Sequence, residues 1–148
     1  MPRTRGFTLI EIVIVIVIIG ALMAIGFPYF RTATLKNELR SGGDALASLH
    51  AVAKQTSIQR GRTTRLVMDP SASTAVVVAT NAAGTGLDTV GRVENLRDRF
   101  GVTFTTTTNT LIFTPRGIGA EAAGTTIIVT KGAFADTITI SAAGRLVR

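Results

Sequence analysis

The chain has 148 residues, no cysteine, one histidine and a formal net charge of +7, from 16 basic and 9 acidic side chains. Without a thiol there is no disulfide framework, thiol nucleophile or zinc–thiolate site, so the fold depends on core packing. A lone His50 and scattered carboxylates offer no metal, cofactor or acid–base constellation, and the composition reads as non-enzymatic.

Residues 1–30 carry the strongest pattern. Arg3 and Arg5 form a short basic head that ends at Gly6, and an apolar stretch follows from Phe7 to Phe30, interrupted by Glu11. As a helix, those 24 residues cover roughly 36 Å at about 1.5 Å per residue, enough for a bilayer core of about 30 Å. A secretory signal would place a small-residue cleavage site after the apolar run, but Gly26-Phe27-Pro28-Tyr29-Phe30 is bulky. A cut after Gly6 instead removes the head and keeps the helix. The arginines place the N-terminus in the cytoplasm by the positive-inside tendency. Glu11 needs a partner at that depth, and a new α-amino group on Phe7 is a natural cation for it. Gly20 and Pro28 are the soft point of the segment, one weakening the helix and the other removing a hydrogen bond.

Beyond Pro28 an amphipathic helix is expected over 31–61, with Leu35, Leu39, Leu46, Leu49 and Ala53 on one face and a stop at Gly61. Gly42-Gly43 marks a bend within it. Residues 62–148 change to period two and form a β-rich domain without helix-period segments. Strands are expected at Thr63–Asp69, Thr74–Thr80, Val90–Leu96, Val102–Thr108, Thr110–Thr114, Thr125–Lys131, Asp136–Ser141 and Arg145–Arg148. Pro70-Ser71 turns the first pair, Asn109 is read as the turn of a hairpin, and 81–87 and 117–124 are loops. The class is α+β, a long helix followed by an antiparallel β domain.

Gly6-Phe7-Thr8-Leu9-Ile10-Glu11 resembles the prepilin cleavage motif of type IV pilins and type II secretion pseudopilins. The resemblance implies a leader of residues 1–6, cleavage between Gly6 and Phe7 by prepilin peptidase, and N-methylation of Phe7. It also implies that Glu11, fifth in the mature chain, aids assembly by pairing with a neighbouring subunit's N-terminus. Gly20 and Pro28 fall at the fourteenth and twenty-second mature positions, where pilins commonly carry Gly and Pro and where the helix can loosen in the filament. Phe113-Thr114-Pro115-Arg116-Gly117, Ile138-Thr139-Ile140-Ser141 and Gly144-Arg145-Leu146-Val147 are similar to the GspH/FimT family of minor pilins and pseudopilins. That likeness implies two sheets packed on the C-terminal half of the helix and a minor role in initiating or capping a filament. Other pilins and an inner-membrane assembly platform are the implied partners. The implied location is the bacterial inner membrane, single-pass, with the β domain in the periplasm.

After the first thirty residues the balance is 14 basic to 8 acidic, mostly Arg, clustered at Arg60/Arg62/Arg65, Arg92/Arg97/Arg99 and Arg145/Arg148. Such patches suit backbone-led, non-specific contact with DNA. Gly144-Arg145-Leu146-Val147-Arg148 is similar to the Gly-Arg-x-Arg pattern of FimT-like pilins implicated in DNA uptake, with its second arginine one place later. On a strand, Arg145 and Arg148 would face opposite sides. The alternatives to a filament-initiating subunit are thus a DNA-binding competence pilin using Arg145 and Arg148, and a membrane-anchored β module with no filament role.

Overall fold

The computed structural model describes residues 7–121 and 123–148; Arg3, Arg5 and Gly6, with the leader assigned to 1–6, lie outside them. The elements in chain order are α1 (Leu9–Arg60), β1 (Thr64–Asp69), β2 (Thr74–Thr80), β3 (Leu87–Asn95), α2 (Leu96–Phe100), β4 (Thr103–Thr106), β5 (Thr110–Phe113), β6 (Thr125–Lys131), β7 (Phe134–Ile140) and β8 (Leu146–Val147). The chain divides into two compact units, Met1–Thr34 and Leu35–Arg148.

In the first unit the apolar side chains stay exposed, from 45% at Val13 to 82% at Leu9. Water cannot be the solvent for such a surface. The helix continues past Gly20 and Pro28, although proline has no N–H to give to the helix ladder.

In the second unit α1 buries Leu39, Gly42, Gly43, Leu46, His50, Ala53, Thr56 and Ser57 along one face. Leu35 and Leu49, expected on that stripe, are half-buried at its border. The helix continues through Gly42-Gly43, and what these glycines supply is close approach. A Cβ on Gly42 would lie 2.6 Å from Val102 Cγ2, and one on Gly43 would lie 2.9 Å from Arg148 Nη2. Gly61 ends the helix in the left-handed conformation (φ 59°), with its N–H donating to Ile58 O at 3.3 Å and the Arg62 N–H to Ser57 O at 3.2 Å. These two bonds satisfy carbonyls that the last turn would otherwise leave open.

The β half forms two four-stranded antiparallel sheets, ordered β3-β2-β1-β5 and β4-β6-β7-β8. Their inner faces share one core, in which Leu66, Met68, Val77 and Phe113 of the first sheet join Phe104, Ile127, Val129 and Ile138 of the second, with Leu39, Leu46 and Ala53 of α1.

Three expectations are corrected. The Asn109 hairpin does not form: β4 pairs with β6 and β5 pairs with β1, so Thr107–Asn109 carries the chain from one sheet to the other. The β half contains a helix, α2, with Asn95 accepting from the Arg97 and Asp98 N–H groups and Gly101 (φ 63°) closing it. Five residues bury only Leu96, too short a span for a 3.6-residue period to register. Finally, β3 begins at Leu87, inside the expected 81–87 loop, and ends before Leu96.

Candidate functional site

The processing and assembly residues sit at the start of α1. Phe7 is 79% exposed, and Thr8 and Glu11 form a reciprocal cap: the Thr8 N–H donates to Glu11 Oε2 at 3.4 Å and the Glu11 N–H donates to Thr8 Oγ1 at 3.3 Å. This capping box stabilises two orphan donors of the first turn. Its Thr-x-x-Glu signature stands in the sequence, at Thr8 and Glu11. In the single chain Glu11 therefore holds its own helix terminus, and the exposed Phe7 lies four residues before it.

Arg145 and Arg148 are brought into different surroundings. Arg145 is exposed, its backbone N–H held by Ser141 Oγ at 3.0 Å. The Arg148 guanidinium turns onto α1 and β7. Its Nε donates to Asp136 Oδ2 at 2.8 Å, its Nη1 donates to Asp44, and its Nη2 donates to Arg40 O at 3.3 Å. Burial alone would lower its pKa, but Asp136 and Asp44 outweigh burial and raise it. The arginine thus ties the end of the second sheet to the helix. Its charge is already offset within the chain. Beside it, Lys36 Nζ lies 5.4 Å from the Phe134 ring centre.

A second tie is Lys131, which pairs with Glu38 at 2.7 Å and donates to Phe100 O at the end of α2. In the Arg92/Arg97/Arg99 cluster, Arg92 and Arg99 pair with the buried Glu94. Arg60, Arg62 and Arg65 have no carboxylate partner among the described residues.

His50 is a packing residue of α1. It is 6% exposed and edge-on to Phe113 at 5.3 Å, and its buried Nε2 has no hydrogen-bond partner among the described residues. Burial lowers its pKa from 6.5, the nearby Gly144 backbone opposes this, and the charge of Lys54 adds to it. Among the described residues no group of three metal-ligating side chains occurs.

Residues 43–144 match the family of the type II transport protein GspH, and residues 1–27 match the prokaryotic N-terminal methylation motif. The chain belongs to the GspH family. Its members are minor pilin and pseudopilin structural subunits, which are not enzymes. The type IV minor pilin FimU of Pseudomonas aeruginosa is similar in structure: TM-score 0.61, 19% identity, 75% of this chain and 87% of FimU covered. The minor pseudopilin EpsH of the Vibrio cholerae type 2 secretion system gives a TM-score of 0.60 at 11% identity, covering 74% of this chain and 94% of EpsH. At these identities the likeness shows the fold: a pilin-type helix followed by two antiparallel sheets. The methylation motif and the GspH family imply processing by prepilin peptidase and interaction with other pilins. With one helix among the described residues long and apolar enough to cross a membrane, this GspH-family chain is a membrane-anchored pilus or pseudopilus component.

Proposed function

We propose that this GspH-family protein is a minor subunit that helps initiate or cap a type IV pilus or a type II secretion pseudopilus. The observation that carries this reading is Glu11, the acidic residue in the first turn of an exposed apolar helical segment, bonded among the described residues to Thr8 of its own cap. Prepilin peptidase cuts after Gly6, and the new amino group on Phe7 is methylated. Before assembly the helix anchors the protein in the inner membrane with the β domain in the periplasm. On assembly at the inner-membrane platform, Glu11 exchanges its weak cap contact for the N-terminal cation of a neighbouring subunit, since an unpaired carboxylate among apolar helices is unfavourable. Gly20 and Pro28 let the segment adjust while the helices pack.

The test is made in the native host with the full chain. Changing Gly6 should leave an uncleaved precursor on an immunoblot. Glu11→Ala should be cleaved normally and accumulate in the membrane, but its recovery in sheared filaments should fall. Normal incorporation of Glu11→Ala would sink the pairing role.

A further inference from the structure

The two sheets turn chemically different outer faces to their surroundings. On the second sheet the outward positions are mostly threonine, at Thr103, Thr105, Thr126, Thr130, Thr137 and Thr139, with Ile128, Ala135 and, on the edge strand β8, Val147 scattered among them. Thr103 and Thr130 share a hydroxyl contact of 2.9 Å. This is a solvated face built from residues that still suit a strand. The first sheet has the same access to threonine and uses it only at the margins. Its outward centre is Val67 on β1, Val76 and Val78 on β2 and Ile112 on β5, all half-buried, extended on β3 by Leu87 at 51% and Val93 at 55% exposure. Strand propensity does not explain the contrast, because both faces satisfy it. An apolar face of this kind, rimmed by polar residues, marks a contact surface.

One charge stands inside this face. Arg65 on β1 is flanked by Val78 on β2 and Ile112 on β5, and it has no carboxylate partner among the described residues. Arg92, Arg99, Arg148 and Lys131 all have one. Covering the valines would desolvate Arg65 as well, so the covering surface must supply the counter-charge. A second copy docked about a two-fold axis through the centre of this face would bring Arg65 near its own equivalent instead of a carboxylate. A phosphate backbone would satisfy the arginine but leave the surrounding valines unmatched.

We propose that the outer face of the first sheet docks a different protein subunit, one that presents an apolar patch with a carboxylate opposite Arg65. The proposal rests on the reading of the chain as a filament subunit and names the surface through which its β domain meets a neighbour. It also gives that neighbour's chemistry: an acidic anchor within an apolar surround, the arrangement in which a central arginine dominates binding.

The experiment uses the full chain in the native host, with a photo-crosslinking phenylalanine analogue placed at Thr89, beside Val78 on the outer face, or at Thr137 on the second sheet. The expected result is an adduct from Thr89 to a second kind of pilin-type subunit, with none from Thr137. Arg65→Glu should reduce that adduct by at least about tenfold, since reversing one member of a desolvated charge pair costs that much or more. Arg65→Gln should give a smaller loss and carries the test should Arg65→Glu fail to accumulate. Equal adducts from both sheets, insensitivity to Arg65→Glu and Arg65→Gln, or adducts to a second copy or to nucleic acid would each overturn the proposal. Absence of a Thr89 adduct in filaments that contain the protein defeats this inference alone, whereas normal assembly of Glu11→Ala strikes the pairing role instead.

Discussion

Gly42 tests whether α1 and the β domain are fitted to each other at the level of single methyl groups. On an open helix face, Gly→Ala stabilises by about 1 kcal/mol, because glycine loses more backbone freedom on folding. At Gly42 the added methyl would stand 2.6 Å from Val102 Cγ2, about 1 Å inside the ordinary carbon–carbon separation of roughly 3.5–4.0 Å. Val102 is fully buried in the core and has no solvent to retreat into, so overpacking should cost about 1–3 kcal/mol. The net expectation is a destabilisation of about 0–2 kcal/mol. Urea unfolding of the second compact unit, followed by circular dichroism, measures it. In a Val102→Ala background the clash is gone, and the same Gly42→Ala change should stabilise by about 1 kcal/mol, a sign reversal that a double-mutant cycle reads directly. At Gly43 the nearest atom is Nη2 of Arg148, 2.9 Å from the added methyl, so Gly43→Ala should displace the guanidinium from Asp44 and Asp136 and weaken that tie without a clash in the core. A gain of about 1 kcal/mol from Gly42→Ala in both backgrounds would refute the close-approach argument.

The remaining expectations concern charge. The folded pKa of His50 is depressed below its ordinary 6.5 by burial. The unfolded chain therefore takes up its proton first as pH falls. The contribution of neutral His50 is intact above about 6.5 and is lost as pH drops toward the folded pKa, so the urea midpoint should fall between pH 7.5 and 5 in the native chain and less so in His50→Gln. Arg148→Ala should destabilise the domain by about 1–2 kcal/mol in low salt through its bonds to Asp44 and Asp136. The deficit should shrink as salt screens the native pair, and a salt-independent loss would assign the effect to packing.

Much of this architecture could be read from the residues. Thr74–Thr80 and Thr125–Lys131 were delimited correctly because strict alternation sets one face against a core. The pairing on either side of Asn109 is not legible in the sequence, because alternation and a turn residue describe a reversal of direction without saying which strands then pair. α2 escaped because its signals are only its ends, Asn95 and Gly101. The role of Gly42 depends on Val102, sixty positions away, and no local pattern contains that. For the functional segment, the Gly6-Phe7 junction and Glu11 stood out because a lone charge in an apolar run is costly. The internal engagement of Arg148 did not, because Asp44 and Asp136 meet it only in the folded domain.

The passage of Thr107–Asn109 between the sheets has a consequence for how the domain is made. As the chain emerges from its N-terminal end, β1 to β3 can meet early, but their sheet stays incomplete until β5 arrives. β4 comes before β5 and must wait for Thr125–Lys131. Two unfinished edges therefore coexist until most of the domain has emerged. Neither sheet can be finished as an independent module, and such interlaced, long-range pairing favours a single slow, cooperative closure over stepwise growth.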